Sequence, residues 1–132
     1  MEPQQFDFSS GLPGFPGRRL FQLSMVDNGP LHYLTAIDPP GPRFAVVDPE
    51  VITAVIGDYE VRLDDDVVSS LGIEDRSDVA IVVVLSVTDG EITANLLGPI
   101  LLNRALGLGC QVVAEGYPVR ARVGSQDALC LS

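Results

Sequence analysis

The fold of this chain is decided by one apolar stretch, Val79-Ala80-Ile81-Val82-Val83-Val84-Leu85-Ser86-Val87. Its residues are almost all β-branched or otherwise apolar and do not alternate with polar ones, which is typical of a strand buried on both faces. The stretch is much shorter than the roughly 20 residues that a membrane-spanning helix needs. The sequence therefore predicts a central strand at residues 79–87 and no membrane span.

Short apolar runs bounded by turn signals continue the pattern toward the C-terminus. Asp89-Gly90 is a turn signal directly after the central strand. Further strands are predicted at residues 92–97, 100–103 and 111–114. The second of these follows Pro99, which suits the start of a strand because proline has no backbone N–H to donate.

The N-terminal side shows the same alternation of strands and turns. Residues 20–26 and 31–37 read as two strands, and the Asn-Gly step of Asp27-Asn28-Gly29-Pro30 supplies the positive φ of a tight turn between them. A hairpin is therefore predicted. Residues 43–47 form a third strand that ends at Asp48-Pro49, since proline cannot continue a ladder.

A predicted strand and a predicted helix follow one another in the middle of the chain. Residues 59–63 alternate apolar and charged side chains, as in a strand with one buried and one solvated face. Asp64 can then cap a helix that Gly72 ends. One face of this helix is apolar, with Val67, Val68 and Leu71. Asp65 and Asp66 occupy its first turn, where the helix dipole stabilises negative charge, so the acidic triplet has a structural explanation before a functional one.

These elements predict a mainly β protein. A chain of 132 residues with 46% hydrophobic residues can bury an apolar core as one domain. Thirteen glycines and ten prolines separate eight or nine predicted strands. The fold class that follows is a small β-barrel-like single domain of short antiparallel strands with one or two short helices, since a barrel removes exposed strand edges. Residues 1–122 are assigned to this domain and residues 123–132 to a C-terminal tail that is expected to be mobile.

The charge of the chain limits the classes of partner. A net charge of −10 repels nucleic acid phosphates and anionic membranes and attracts basic proteins. Solubility alone is the alternative explanation of this charge. The N-terminus shows no basic segment followed by a long apolar one, so no secretory signal is visible and a cytoplasmic location is expected.

The sequence gives little support for catalysis. His32 is the single histidine and has no evident titratable partner. Cys110 and Cys130 lack neighbouring basic residues and are expected to be free packing thiols rather than nucleophiles or a disulfide. Asn95 and Asn103 lie in strand patterns and are expected to tie backbone segments together. No enzyme activity, cofactor or metal is expected. The alternative is a small barrel enzyme or ligand-binding protein with a pocket near His32 and Asn95.

The glycine- and proline-rich run at residues 11–17 does not match a phosphate-binding loop. It lacks the Gly-Lys-Ser/Thr step, and its prolines remove backbone donors. A rigid turn that inserts Phe15 into the core is the interpretation that its turn chemistry favours. The acidic clusters at 64–66 and 74–75 do not have the spacing of a calcium loop either.

Several motifs in order resemble the signatures of the FliW family. They are residues 8–15 (FSSGLPGF), 44–49 (FAVVDP), 71–73 (LGI), 93–103 (TANLLGPILLN), 111–113 (QVV) and 117–120 (YPVR). The resemblance covers about residues 6–122. It implies a β-barrel-like flagellar assembly factor that binds cytoplasmic flagellin and the translational regulator CsrA. It also implies partner switching, in which flagellin release frees the factor to capture CsrA and relieve repression of flagellin translation.

The resemblance and the charge together suggest where partners would bind. CsrA has basic surfaces, so an acidic docking face is expected. The candidate contacts are five acidic residues and two possible apolar anchors, namely Asp64, Asp65, Asp66, Glu74, Asp75, Tyr33 and Phe15. Helix capping is the alternative role of the acidic set. Members of the family commonly begin with a further strand, whereas only residues 1–5 precede Phe6 here, so a barrel edge is expected to be open or differently closed.

Overall fold

The structure is a computed structural model that describes residues 3–8, 19–26, 29–38 and 40–125. Its strands are β1 Gln4–Asp7, β2 Leu20–Met25, β3 His32–Asp38, β4 Pro40–Val47, β5 Val79–Thr88, β6 Glu91–Ala94, β7 Ile100–Asn103, β8 Leu108–Gln111 and β9 Ala121–Ser125. The helices are α1 Thr53–Ile56 and α2 Asp65–Leu71, with short 3₁₀ helices at Pro49–Ile52 and Arg76–Asp78. Within these ranges no helix is both long and apolar enough to span a membrane.

Seven strands close into a barrel. In ring order they are β1, β2, β3, β4, β5, β7 and β8. Described neighbours run antiparallel, apart from β1 and β8, which pair in parallel where Asp7 meets Leu108. β6 and β9 extend the sheet from β5 outside the ring. The prediction of a mainly β, barrel-like fold is confirmed, and the barrel is mixed rather than purely antiparallel.

β5 is the strand on which the barrel and its extension meet, as predicted for the centre of the fold. It pairs with β7 through residues 79–82, with β4 through residues 83–85, and with β6 through residues 85–88. Val82 and Val83 are buried on opposite faces, whereas residues 86–88 are exposed. The predicted burial on both faces therefore holds only for the middle of the strand, because the end of the β5–β6 hairpin is exposed to solvent.

Two apolar cores lie on the two sides of the barrel wall. The inner core fills the barrel with residues that include Phe6, Phe8, Phe21, Leu34 and Leu102. Rings of Phe8 and Phe21 meet edge to face, with centroids 5.1 Å apart. The outer core is centred on Val47, Val83, Ala94 and Leu96 and lies beneath β9, α1 and two tyrosines, Tyr59 and Tyr117. Alternate residues of β4 and β5 thus feed two different cores.

The strand predicted at residues 59–63 is wrong. This segment has no regular secondary structure and pairs with none of the described strands. Its alternation has another cause, because Tyr59 packs into the outer core and its hydroxyl donates to the Leu96 carbonyl oxygen at 2.6 Å. The Glu60 amide donates to the Tyr117 hydroxyl at 3.0 Å. The period-two pattern of residues 59–63 therefore reflects the packing of one side of the segment and not the hydrogen-bond ladder of a sheet.

The strand predicted at residues 111–114 begins earlier, because β8 spans Leu108–Gln111. Gly107, with φ of 68°, makes the turn from β7 that places β8 there. The following residues still bond to the chain before β7, since the Ala114 amide donates to the Leu97 carbonyl oxygen at 2.7 Å. An irregular continuation of the β7–β8 pair therefore occupies the rest of the predicted strand.

Two short strands at the ends of the chain were not predicted. β1 pairs with β2 and with β8, so it closes the barrel at the edge that was expected to be open or differently closed. β9 pairs with β6 across the predicted boundary between residues 122 and 123. The run predicted as a rigid turn at residues 11–17, the Asp27-Asn28 step and Cys130 lie outside the described residues.

Candidate functional site

A surface recess opens beside the N-terminal half of β5, on the side where β4 has ended. Its cavity volume is about 1070 Å³. The walls are formed by residues 48–50, 59–63 and 73–76, together with β5 residues 79–81. Asp48 creates this opening, because its Oδ1 accepts a hydrogen bond from the Glu50 amide at 2.9 Å and turns the chain away from β5.

The recess carries an excess of negative charge. Its acidic lining residues are Asp48, Glu50, Glu60, Glu74 and Asp75, and its basic ones are Arg62 and Arg76. Its apolar surface includes Val68, Ile73 and Ile81. Ion pairs within the described residues join Arg19 to Asp7 and Arg122 to Glu91, so no carboxylate of the recess is neutralised by such a pair. The recess can therefore attract a positively charged group with apolar surroundings.

The structure brings Glu74 and Asp75 to this recess and leaves the triplet at 64–66 on a neighbouring helix. Asp64 Oδ1 accepts from the Val67 amide at 2.9 Å, which confirms the predicted cap. Gly72 ends the helix in the left-handed region, as predicted. Asp65 and Asp66 lie exposed in the first turn. Of the triplet, therefore, Asp64 is engaged in the fold, whereas the side chains of Asp65 and Asp66 have no ion pair within the described part of the chain.

The pair at 74–75 also has a structural task. Asp78 Oδ2 accepts from the amides of Glu74 and Asp75 at 2.9 and 3.0 Å. Asp75 Oδ2 accepts from the Ser77 hydroxyl at 3.1 Å. Asp75 thus helps to hold the 3₁₀ helix Arg76–Asp78, whereas the Glu74 side chain is exposed and has no such contact.

Tyr33 lies on β3 and does not line the recess. The Arg43 guanidinium carbon is 3.9 Å from the centroid of its ring. This cation–π contact covers one face of the ring. The Tyr33 ring is therefore half-buried and lies beside a positive charge. Phe15 lies outside the described residues.

The pocket considered near His32 and Asn95 does not coincide with the recess, because neither residue lines it. Asn95 Oδ1 accepts from the Gly98 amide at 2.9 Å. Asn103 is buried and donates from Nδ2 to the Leu71 carbonyl oxygen at 2.8 Å. Asn103 therefore ties two distant backbone segments together, as predicted, whereas the bond of Asn95 closes a local turn.

Cys110 has the chemistry of a packing thiol. Burial, and then the nearby Asp64 carboxylate, raise the pKa of the Cys110 thiol above its usual value. A raised pKa lowers the fraction of reactive thiolate. In the described part of the chain no group of three or more His, Cys, Asp or Glu side chains is placed to hold a metal ion.

Sequence reasoning missed most of the recess. It did not single out Asp48, Glu50, Glu60 or Arg62 as site residues. A usable signal was present, because Asp48-Pro49 ends β4 after Val47, which pairs with Val83. β5 extends four residues further, back to Val79, beside β7 alone. A strand that outlasts its neighbour leaves an edge without a partner.

Comparison with known proteins assigns the chain to a family. The sequence model of the family described as "FliW protein" matches residues 1–123. The flagellar assembly factor FliW of Pseudothermotoga lettingae is 35% identical over 111 residues, which are 82% of this chain and 69% of that protein. The protein of the same name from Geobacillus kaustophilus is 34% identical over 108 residues, covering 80% and 73% of the two chains. A crystal structure of the flagellar assembly factor FliW superposes with a TM-score of 0.80 at 31% identity, covering 91% of this chain and 85% of that one. This chain belongs to the FliW family of flagellar assembly factors.

Proposed function

We propose that this protein binds a CsrA-type translational regulator and flagellin in the cytoplasm and switches between them. Bound to flagellin, it leaves CsrA free to repress flagellin translation; released from flagellin, it captures CsrA and relieves that repression. The proposed role is protein binding without catalysis, and without direct contact to nucleic acid or membrane.

The observation that carries this proposal is a set of unpaired carboxylates on one FliW-like barrel. Asp65 and Asp66 are exposed, and neither takes part in an ion pair among the described residues. Glu74 is likewise exposed at the recess. A net charge of −10 adds a long-range attraction for a basic RNA-binding protein. These carboxylates are available to a partner, because the local hydrogen bonds of the fold use their neighbours Asp64 and Asp75 instead.

Calorimetric titration of the purified protein with CsrA and with flagellin from the same cell tests the proposal. We expect a one-to-one complex with at least one of them at micromolar concentration or below. Protein preloaded with flagellin should not capture CsrA. Binding to neither partner would contradict the proposal, and simultaneous binding of both would contradict partner switching.

Charge-neutral variants locate the CsrA contact. Asp65→Asn combined with Asp66→Asn should weaken CsrA binding several-fold, mainly through a slower association rate. Glu115→Gln combined with Asp58→Asn is the matched control, since both side chains are exposed and belong neither to the first turn of α2 nor to the lining of the recess. Raising the salt concentration should weaken the wild-type complex, because exposed charges are screened over about 10 Å near physiological ionic strength. An affinity that is independent of salt would argue against an acidic docking face.

A further inference from the structure

The N-terminal half of β5 has a strand edge without a neighbour. β4 pairs with β5 as far as Val47 opposite Val83, and the chain then leaves the sheet at Asp48. On its other side β5 continues to pair with β7 back to Val79. The edge of β5 from Val79 to Ile81 therefore faces the recess.

Backbone directions show which groups this edge offers. The Asn95 amide donates to the Val84 carbonyl oxygen at 2.9 Å, so Val84 directs its backbone groups toward β6 and away from β4. Since alternate residues of a strand point to opposite edges, Ile81 and Val79 direct theirs toward the recess. The Val79 amide is bonded to the Arg76 carbonyl oxygen. The Ile81 amide, the Ile81 carbonyl and the Val79 carbonyl have no hydrogen-bond partner among the described residues.

The opposite wall of the recess does not fill this edge. Residues 59–63 line the recess without pairing with β5, and the Tyr59 hydroxyl and the Glu60 amide are bonded to Leu96 and Tyr117. These bonds hold the segment toward the outer core. The space that remains between this segment and β5 is the recess itself.

Size and charge indicate what can occupy this space. About 1070 Å³ lies just above the roughly 300–1000 Å³ typical of small-molecule pockets, which is large enough for a chain segment. Five carboxylates against two guanidinium groups favour a positively charged segment. Apolar side chains on the same walls suit a strand that alternates basic and apolar residues.

We propose that this recess binds an extended, basic segment of another protein as an added β-strand paired with the Ile81 edge of β5. The inference deepens the proposed function and rests on it, because Glu74 belongs both to the acidic docking face and to the recess. It specifies how the basic partner is bound. Main-chain hydrogen bonds pair its segment with β5, and the carboxylates of the recess favour a positively charged segment.

A synthetic probe tests the pairing directly. The probe is an acetylated and amidated octapeptide that alternates lysine and valine, added to ¹⁵N-labelled protein. We expect backbone shifts around residues 73–81 in NMR spectra and slower hydrogen exchange of the Ile81 amide, by tenfold or more. The same peptide with N-methyl groups on alternate residues cannot pair along one edge and should lose most of this protection. An octapeptide that alternates glutamate and valine should not bind.

Variants of exposed side chains separate charge selection from folding. Glu50→Lys combined with Glu60→Lys should weaken peptide binding at least tenfold at low salt. Glu115→Lys combined with Asp58→Lys is the matched control, because both side chains are exposed outside the lining and should leave binding within about twofold. Far-ultraviolet circular dichroism of both variants shows whether the fold is retained.

Several results would overturn the inference. One is the absence of peptide binding at millimolar concentration, and another is binding that leaves Ile81 exchange unchanged. Concentration-dependent protection of Ile81 without peptide would instead make the recess a contact between two copies of this chain. CsrA titrations of the same variants keep the two proposals distinct: full CsrA affinity in the Glu50→Lys, Glu60→Lys variant removes the recess proposal alone, whereas failure of wild-type protein to bind CsrA or flagellin removes the proposed function.

Discussion

Asn103 Nδ2 donates a hydrogen bond of 2.8 Å to the carbonyl oxygen of Leu71, and this bond ties the end of β7 to the last turn of α2. The same side chain accepts from the amides of Ala105 and Leu106 at 3.1 and 3.3 Å, which shapes the turn into β8. Asn103 is only 1% exposed and is the one buried polar residue among those the structure describes. The side-chain amide of Asn103 thus attaches α2 to the barrel, and α2 carries Asp65 and Asp66 in its first turn.

Asn103→Ala should lower the free energy of unfolding by about 2–4 kcal/mol, since each buried group left without a partner costs about 1–3 kcal/mol. Urea denaturation followed by circular dichroism measures the change. Asn95→Ala is the comparison, because its amide accepts one local bond in a half-buried turn, and we expect a loss of about 0.5–1.5 kcal/mol. Equal losses for the two variants would show that Asn103 does not have the cross-linking role described.

Gly109→Ala should destabilise the barrel strongly. A Cβ at position 109 would lie 2.6 Å from Cζ of Phe8, which is fully buried in the inner core. Overpacking of this kind costs about 1–3 kcal/mol. Thermal unfolding measures it, and Gly124→Ala on β9 is the matched control, since a Cβ there meets nothing within 4 Å. A near-neutral Gly109→Ala variant would mean that the Phe8 ring moves at little cost.

Alkaline pH should lower the free energy of unfolding of the protein, because Tyr59 ionises. Burial, and then Tyr117, raise the pKa of Tyr59 to about 12 from its usual value of 10.0. The folded state therefore keeps the phenol protonated at pH values where the unfolded chain has lost the proton. This stabilisation is complete below pH 10 and is lost as the pH rises to about 12.

Comparison of the wild type with Tyr59→Phe isolates this group. Below pH 10 the variant should be less stable by about 1 kcal/mol, because it loses the bond to the Leu96 carbonyl oxygen. The difference should shrink between pH 10 and 12 in urea titrations. A difference in stability that stays constant from pH 10 to 12 would contradict a Tyr59 pKa that is raised by folding.

Cys110 should react slowly with a disulfide reagent in the native state. Its raised pKa and half-buried position both lower the concentration of accessible thiolate. The rate can be measured at pH 8 in a Cys130→Ser background, with the urea-unfolded protein as reference. Asp64→Asn removes the carboxylate but keeps a capping side chain, so it should speed the reaction modestly. Native and unfolded rates that agree would contradict this description of the thiol.

Local chemistry explains which elements the sequence could predict. The Asp64 cap, the Gly72 stop and the Asp89-Gly90 turn are each set by one or two residues, and all three are found as predicted. β7 matches its predicted bounds of 100–103 because Pro99 marks its start. Signals of this kind need no knowledge of the rest of the chain.

Elements that depend on distant partners were mispredicted. Residues 59–63 have the alternation of a strand, yet no strand within the described ranges pairs with them, and Tyr59 packs on Leu96 instead. β1 is short and three of its four residues are polar, and its identity as a strand comes from pairing with β2 and β8. The recess escaped prediction for the same reason, since it exists where one strand ends beside another.

The parallel junction of β1 with β8 sets the order in which the barrel can be completed during synthesis. Gln4 Nε2 bonds to the Arg104 carbonyl oxygen at 2.7 Å, across a separation of 100 residues. At about 5–20 residues per second, the ribosome needs roughly 5–20 s to supply this partner. During that interval β1 can pair with β2 only, and the edge that meets β8 in the folded protein lacks its partner. Because β8 spans Leu108–Gln111, we expect the barrel to close only after the ribosome has passed residue 111.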